Sequence, residues 1–214
     1  MATDPGASPS TTLVDRVKNI LTQPKSEWPK IDIEPATVSS IYRNYVVILA
    51  AIPPLASAIG QLLFGIRFFG IVYRPGVGTV IGTAVIQYAM SLVTLYVLAL
   101  IIDALAPTFG DAKEKVRALE VAADSWTAGW VAGAFAIIPQ LAILALLGGL
   151  YGLYLLYLGL PVLMKVSEDK AIGYVVATIV AAIVLSLVAS AVVAALASSF
   201  VPIPGPQGGT LSMG

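Results

Sequence analysis

Long apolar runs, each bounded by a short charged cluster, dominate the pattern of this chain. A helix needs about 20 such residues to cross the ~30 Å hydrocarbon core of a bilayer. Runs of that size lie near 42–65, 79–106 and 172–200. A further stretch, 127–164, has no charged residue at all. As one helix it would be about 55 Å long at ~1.5 Å per residue, far too long for one crossing. Gly148-Gly149 near its middle is the natural turn, which predicts spans at 127–147 and 148–164, the second at the lower limit for crossing. The pattern predicts an all-α, polytopic integral membrane protein with a bundle of five transmembrane helices over 41–200.

The mixed segments between the runs predict shorter elements. Thr11 or Thr12 caps a helix in which Leu13, Val14, Val17, Ile20 and Leu21 share one face and Asp15, Arg16, Lys18 and Asn19 the other. It is too short to span, and is expected to lie in the headgroup layer or to pack on the bundle, making 11–40 a cytoplasmic amphipathic segment. Pro24 ends it, and Trp28-Pro29 reads as an interfacial anchor before extended chain to Glu34-Pro35. Val116, Leu119, Ala123 and Trp126 recur at helical spacing, so 111–124 is expected to be an interfacial helix. Pro53 and Pro54 break the hydrogen-bond ladder of the first span. Met1–Ser10 lacks the basic-then-apolar pattern of a secretory signal, so no cleavable segment is expected. It and 201–214, rich in Pro and Gly, read as disordered tails.

Composition agrees with burial in lipid. Of 214 residues 58% are hydrophobic and 11% charged, with a mean hydropathy of +0.90, whereas soluble domains carry about 25% charged residues. Net charge is zero, which gives no general attraction to nucleic acid. The distribution of charge is more telling. With the N-terminus in the cytoplasm, inside segments hold Arg16, Lys18, Lys25, Lys30, Arg43, Lys113, Lys115, Arg117, Lys165 and Lys170, and outside segments only Arg67 and Arg74. The positive-inside rule therefore places the N-terminus inside and the C-terminus outside.

The chain has neither cysteine nor histidine. Thiolate chemistry and Cys-ligated metal centres are excluded, and the usual general base and haem ligand are missing. No phosphate loop or nucleophile elbow appears, so no catalytic, cofactor-binding or metal-binding residue is predicted.

Other features admit two readings. Gln61, Gln87 and Gln140 fall in the outer halves of the first three spans, on the same side as Arg67 and Arg74. They line an outward cavity for a small molecule or lipid headgroup, or else bond neighbouring helices while the arginines reach phosphates. Asp103 is read as interfacial rather than as a proton-coupling group. Tyr151, Tyr154 and Tyr157 form a stripe that packs helices, meets headgroups or stacks a ligand. Gly129 and Gly133, Gly148 and Gly152, and the ridge Ser186, Ser190, Ala194 and Ser198 give the small-residue spacing of close helix packing, within the bundle or at a dimer face.

The stretches Leu153–Gly173 (LYLLYLGLPVLMKVSEDKAIG), Leu98–Gly110 (LALIIDALAPTFG), Ser125–Gly133 (SWTAGWVAG) and Val14–Pro35 resemble the bacterial branch of the Yip family, the Ypt/Rab-interacting-protein-like membrane proteins. The resemblance covers roughly Leu13 to Phe200. It implies five spans of a bacterial inner membrane with a cytoplasmic N-terminus, and no catalytic residues. It also implies a link to eukaryotic members that act in vesicle traffic, bind Rab-type GTPases and associate with one another.

Three functions follow as expectations. The first is a non-enzymatic scaffold or organiser of membrane and partner proteins, acting in the lipid bilayer with a homo-oligomer or membrane-protein partner. The second is a small-solute or lipid transporter or channel. The third is an accessory subunit of a larger membrane complex. None calls for a cofactor.

Overall fold

The computed structural model describes residues 12–68, 71–110, 113–141, 143–198 and 212–213. The tails read at 1–10 and 201–214 lie outside the described residues, apart from Ser212–Met213. Seven helices hold most of the described residues: α1 (Leu13–Thr22), α2 (Pro24–Ile33), α3 (Val38–Phe64), α4 (Val77–Leu105), α5 (Lys115–Ala132), α6 (Ile143–Leu163) and α7 (Glu168–Ser198). A small hairpin, β1 (Ile66–Phe68) and β2 (Ile71–Tyr73), joins α3 to α4, and Ser212–Met213 pairs antiparallel with β2. Among the described residues, four helical segments are long and apolar enough to cross a membrane: Val38–Phe64, Val77–Phe109, Ile143–Leu163 and Asp169–Ser198. Their outward faces are apolar, with Val85, Leu100, Leu147, Val180 and Leu187 all exposed. Water would meet those faces only at high cost. The protein is an all-α integral membrane protein.

Two prolines shape α3. The helix opens with a Thr37–Ser40 capping box, passes through a π turn over Tyr42–Val46, and breaks at Ala50-Ala51. It restarts at Ile52, so Pro53 and Pro54 sit in the first turn, where a missing N–H costs no intrahelical bond. The π turn has no counterpart in the hydrophobic periodicity. Two phenols tie the helix to α4, as Tyr42 donates to the Leu92 carbonyl at 2.9 Å and Tyr88 to that of Val47 at 3.0 Å.

The middle of the chain differs from the sequence reading. The interfacial helix at 111–124 and the span at 127–147 are replaced by one helix, α5, most of it buried. Two short 3₁₀ turns, Gly133–Ile137 and Pro139–Leu141, follow it. The turn lies there, and α6 runs unbroken through Gly148-Gly149. The physical reason is close packing. A Cβ at Gly148 would meet the Ala128 carbonyl at 2.7 Å, and one at Gly152 the Ser125 carbonyl at 2.8 Å. These glycines let two backbones approach instead of turning one.

The N-terminal segment differs in part. Thr12 caps α1 by accepting from the Asp15 N–H at 3.2 Å, and Ile20 is fully buried while Val14 is exposed. Of the two placements expected of α1, the one seen is packing on the bundle, where Tyr151 donates to the Leu21 carbonyl at 2.9 Å. The expected extended stretch is the helix α2, opened by Pro24 at its N-terminus. Trp28 is no interfacial anchor. It is 1% exposed, and its ring covers Gly159, where any Cβ would overlap it.

The core lies toward the end of the bundle that carries the charged loops. Leu98 and Ile102 of α4, Leu119 and Ala122 of α5 and Leu155 and Leu160 of α6 meet Ile20, Trp28 and Ile31 from the N-terminal helices.

Candidate functional site

Among apolar neighbours, α5 carries Glu120, Asp124 and Thr127 at i, i+4 and i+7, a spacing that stacks them along one helix face. All three are at most 1% exposed. The contact of Ser125 with Gly152 sets their depth along α6. Arg16 of α1 reaches in to meet them. Its Nε and Nη2 grip the two oxygens of Asp124 at 2.9 and 2.6 Å, while Nη1 reaches Glu34 at 3.0 Å. The guanidinium also lies 5.3 Å from the centre of the Tyr45 ring, and the Tyr45 and Thr127 hydroxyls share a hydrogen bond of 2.5 Å. Burial disfavours the charge on Arg16, but the paired Asp124 carboxylate overrides it and raises the guanidinium pKa.

A second pair flanks the first. Arg117 Nη1 bonds Glu120 at 2.8 Å and the Ile31 carbonyl at 3.2 Å, joining α5 to the end of α2. At the rim, Lys165 lies 3.9 Å from Asp32. One face of α5 is thereby clamped to the N-terminal helices by ions. Chemically the arrangement is a latch, because a bidentate pair orients its partners as well as attracting them.

The sequence reading passed over this cluster. Arg16 and Asp124 are 108 positions apart, and periodicity alone connects no such pair. The available signal was carboxylates at i and i+4 with only Val121, Ala122 and Ala123 between them. Asp103, expected at the interface, is instead 4% exposed on α4, and its Oδ1 lacks a hydrogen-bond partner among the described residues.

The outer polar residues do not converge. Gln61 donates to Ser57 of its own helix at 3.0 Å, Gln140 and Arg74 are exposed, and Arg67 on β1 is described by its backbone alone. Gln87 lines a cavity of about 570 Å³ with Ser91, Ser186 and Ser190. Tyr151 binds α1, whereas Tyr154 and Tyr157 face outward.

The small residues divide by role. A Cβ at Gly133 would lie 2.6–2.7 Å from the Pro53 ring, and one at Gly60 the same distance from the Ala136 and Ile137 carbonyls. The break in α3 is thus filled by protein, with Gly60 a contact that no motif had marked. Gly129 and Gly149 have nothing within 4 Å of a built Cβ. Ser186 and Ser190 bond back to carbonyls of α7 at 2.7 and 2.8 Å.

Against this geometry, the model of the Yip1 domain matches residues 18–202. The chain belongs to the Yip1 domain family. The matched region takes in Arg117, Glu120 and Asp124 together with all four apolar spans, and starts within α1, two residues after Arg16. No curated protein and no solved structure matches this Yip1-domain chain.

Proposed function

We propose that this Yip1-family protein is a non-enzymatic organiser of membrane and partner proteins, crossing a bacterial inner membrane five times with its N-terminus in the cytoplasm and its C-terminus outside. The observation that carries this reading is the Arg16–Asp124 pair, which, with the Arg16–Glu34 bond, fixes α1 and the end of α2 against the bundle's charged end. The result is a shaped, charge-bearing cytoplasmic face, the form of surface on which a partner docks.

Two observations support the fifth crossing. The 3₁₀ turn Gly133–Ile137 packs on Gly60, near the hairpin end of α3, so the chain from Lys115 to Leu141 runs from the charged end to the hairpin end. Ser212–Met213 pairs with β2, which sets those two residues on the hairpin side. An odd number of crossings after a cytoplasmic N-terminus does the same. The ten cytoplasmic Lys and Arg residues agree with that orientation.

Extraction in a mild detergent followed by mass determination tests the role. A homo-oligomer or a stoichiometric complex with another membrane protein is the expected result. A strictly lone monomer, with no cross-linked partner in native membranes, would overturn it.

A further inference from the structure

α7 is held to the bundle chiefly at its charged end. There Tyr174 donates to the Ile102 carbonyl at 2.5 Å and stacks on Phe109 at 5.0 Å between ring centres. Farther along, α7 stands off from its neighbours. A cavity of about 590 Å³ opens between α7, α5 and α6. It shares Ser91, Trp126, Ser186 and Ser190 with the cavity lined by Gln87. Its rim includes Leu146, Leu150, Ile183 and Leu187, which are 47–66% exposed on outward faces of spans. The groove therefore opens sideways, at bilayer depth, toward lipid.

Its chemistry narrows the occupant. Neither cavity has a charged lining residue, so a phosphate headgroup or an ion would find no counter-charge. At about 30 Å³ per water-sized group, the volume suits roughly twenty groups, the size of one long hydrocarbon chain. One lining hydroxyl is left unsatisfied among the described residues. Ser125 is 1% exposed, lines the groove, and its Oγ has no hydrogen-bond partner among the described residues. A hydroxyl in so apolar a place is costly until something accepts from it.

We propose that this groove is a lipid-binding site, taking one long chain from the bilayer whose carbonyl oxygen accepts a hydrogen bond from Ser125. It stands on the membrane embedding and the groove, independent of the organiser reading. Two lipids share this chemistry, a glycerophospholipid through its ester and an isoprenoid quinone through its ring carbonyl.

Native mass spectrometry of the full chain from its membranes should show one retained lipid per chain, its mass telling the two sources apart. Adding phosphatidylglycerol and then an isoprenoid quinone to delipidated protein should restore the adduct with one of them. Gly129 and Gly149 line the groove and have open space at their Cβ positions, so Gly129→Leu with Gly149→Leu fills it without moving backbone. The lipid-bound fraction should fall at least about tenfold as several methylenes are displaced. Ser125→Ala should raise the thermal midpoint of delipidated protein while weakening the adduct. A wild type that retains and rebinds neither lipid, or a filled groove that binds as well as wild type, would overturn the proposal. Should the double variant not extract folded, Gly129→Leu alone is read by the same criterion.

Discussion

Removing the Arg16 guanidinium would leave Asp124, 1% exposed, without its bidentate partner. A buried carboxylate so stranded typically costs about 3–5 kcal/mol. Arg16→Ala should therefore destabilise the folded state by roughly that amount, measured by thermal or denaturant unfolding in detergent. Arg16→Ala combined with Asp124→Ala should cost clearly less than the sum of the two single changes, because the pair is one interaction. Equal additivity would show that the contact holds nothing. The raised pKa of Arg16 carries a sign as well. Its contribution is fully present below the ordinary guanidinium pKa, so alkaline titration short of that value should leave it intact. Some residue roles were open to sequence reasoning, since the pyrrolidine rings of Pro53 and Pro54 and the bare Cα of Gly133 act through their own covalent shape. The partner of a charge was not, because Asp124 meets Arg16 only once five helices have been placed.

Elements were legible where lipid sets their length and obscure where protein does. Long apolar runs mark α3, α4 and α7 because the bilayer demands about 20 apolar residues of any crossing. The same rule gives no help with α5, which is shielded by other helices and so keeps Lys115, Arg117, Glu120 and Asp124. Gly148-Gly149 illustrates the ambiguity from the other side. A Gly pair serves a turn or a close helix contact equally, and only Ala128 and Ala132 opposite Gly148 decide between them. The α1–α2 pair depends on one such contact. Gly159→Leu would force Trp28 from its seat, an overpacking cost of about 1–3 kcal/mol that undocking relieves. Limited proteolysis should then cut near Gln23, which joins the two helices, far faster than in wild type. Unchanged cleavage would mean that α1 and α2 stay docked by their ion pairs alone.

At the scale of the whole molecule, membership of the Yip1 domain family, four apolar spans and an outward-facing apolar surface describe a protein that lives in a bilayer. The proposed five crossings put charged loops on one side and the β-hairpin with the C-terminus on the other. Since the chain has no cysteine, each single-cysteine variant is a unique probe of sidedness. The most direct measurement labels such variants in intact cells with a membrane-impermeant maleimide, before and after permeabilisation. Cysteines at Lys18, Lys113 and Ser167 should react only after permeabilisation, and those at Gly76, Gln140 and the C-terminus should react before it. Labelling of Lys18→Cys and the C-terminal cysteine from the same side would contradict the account.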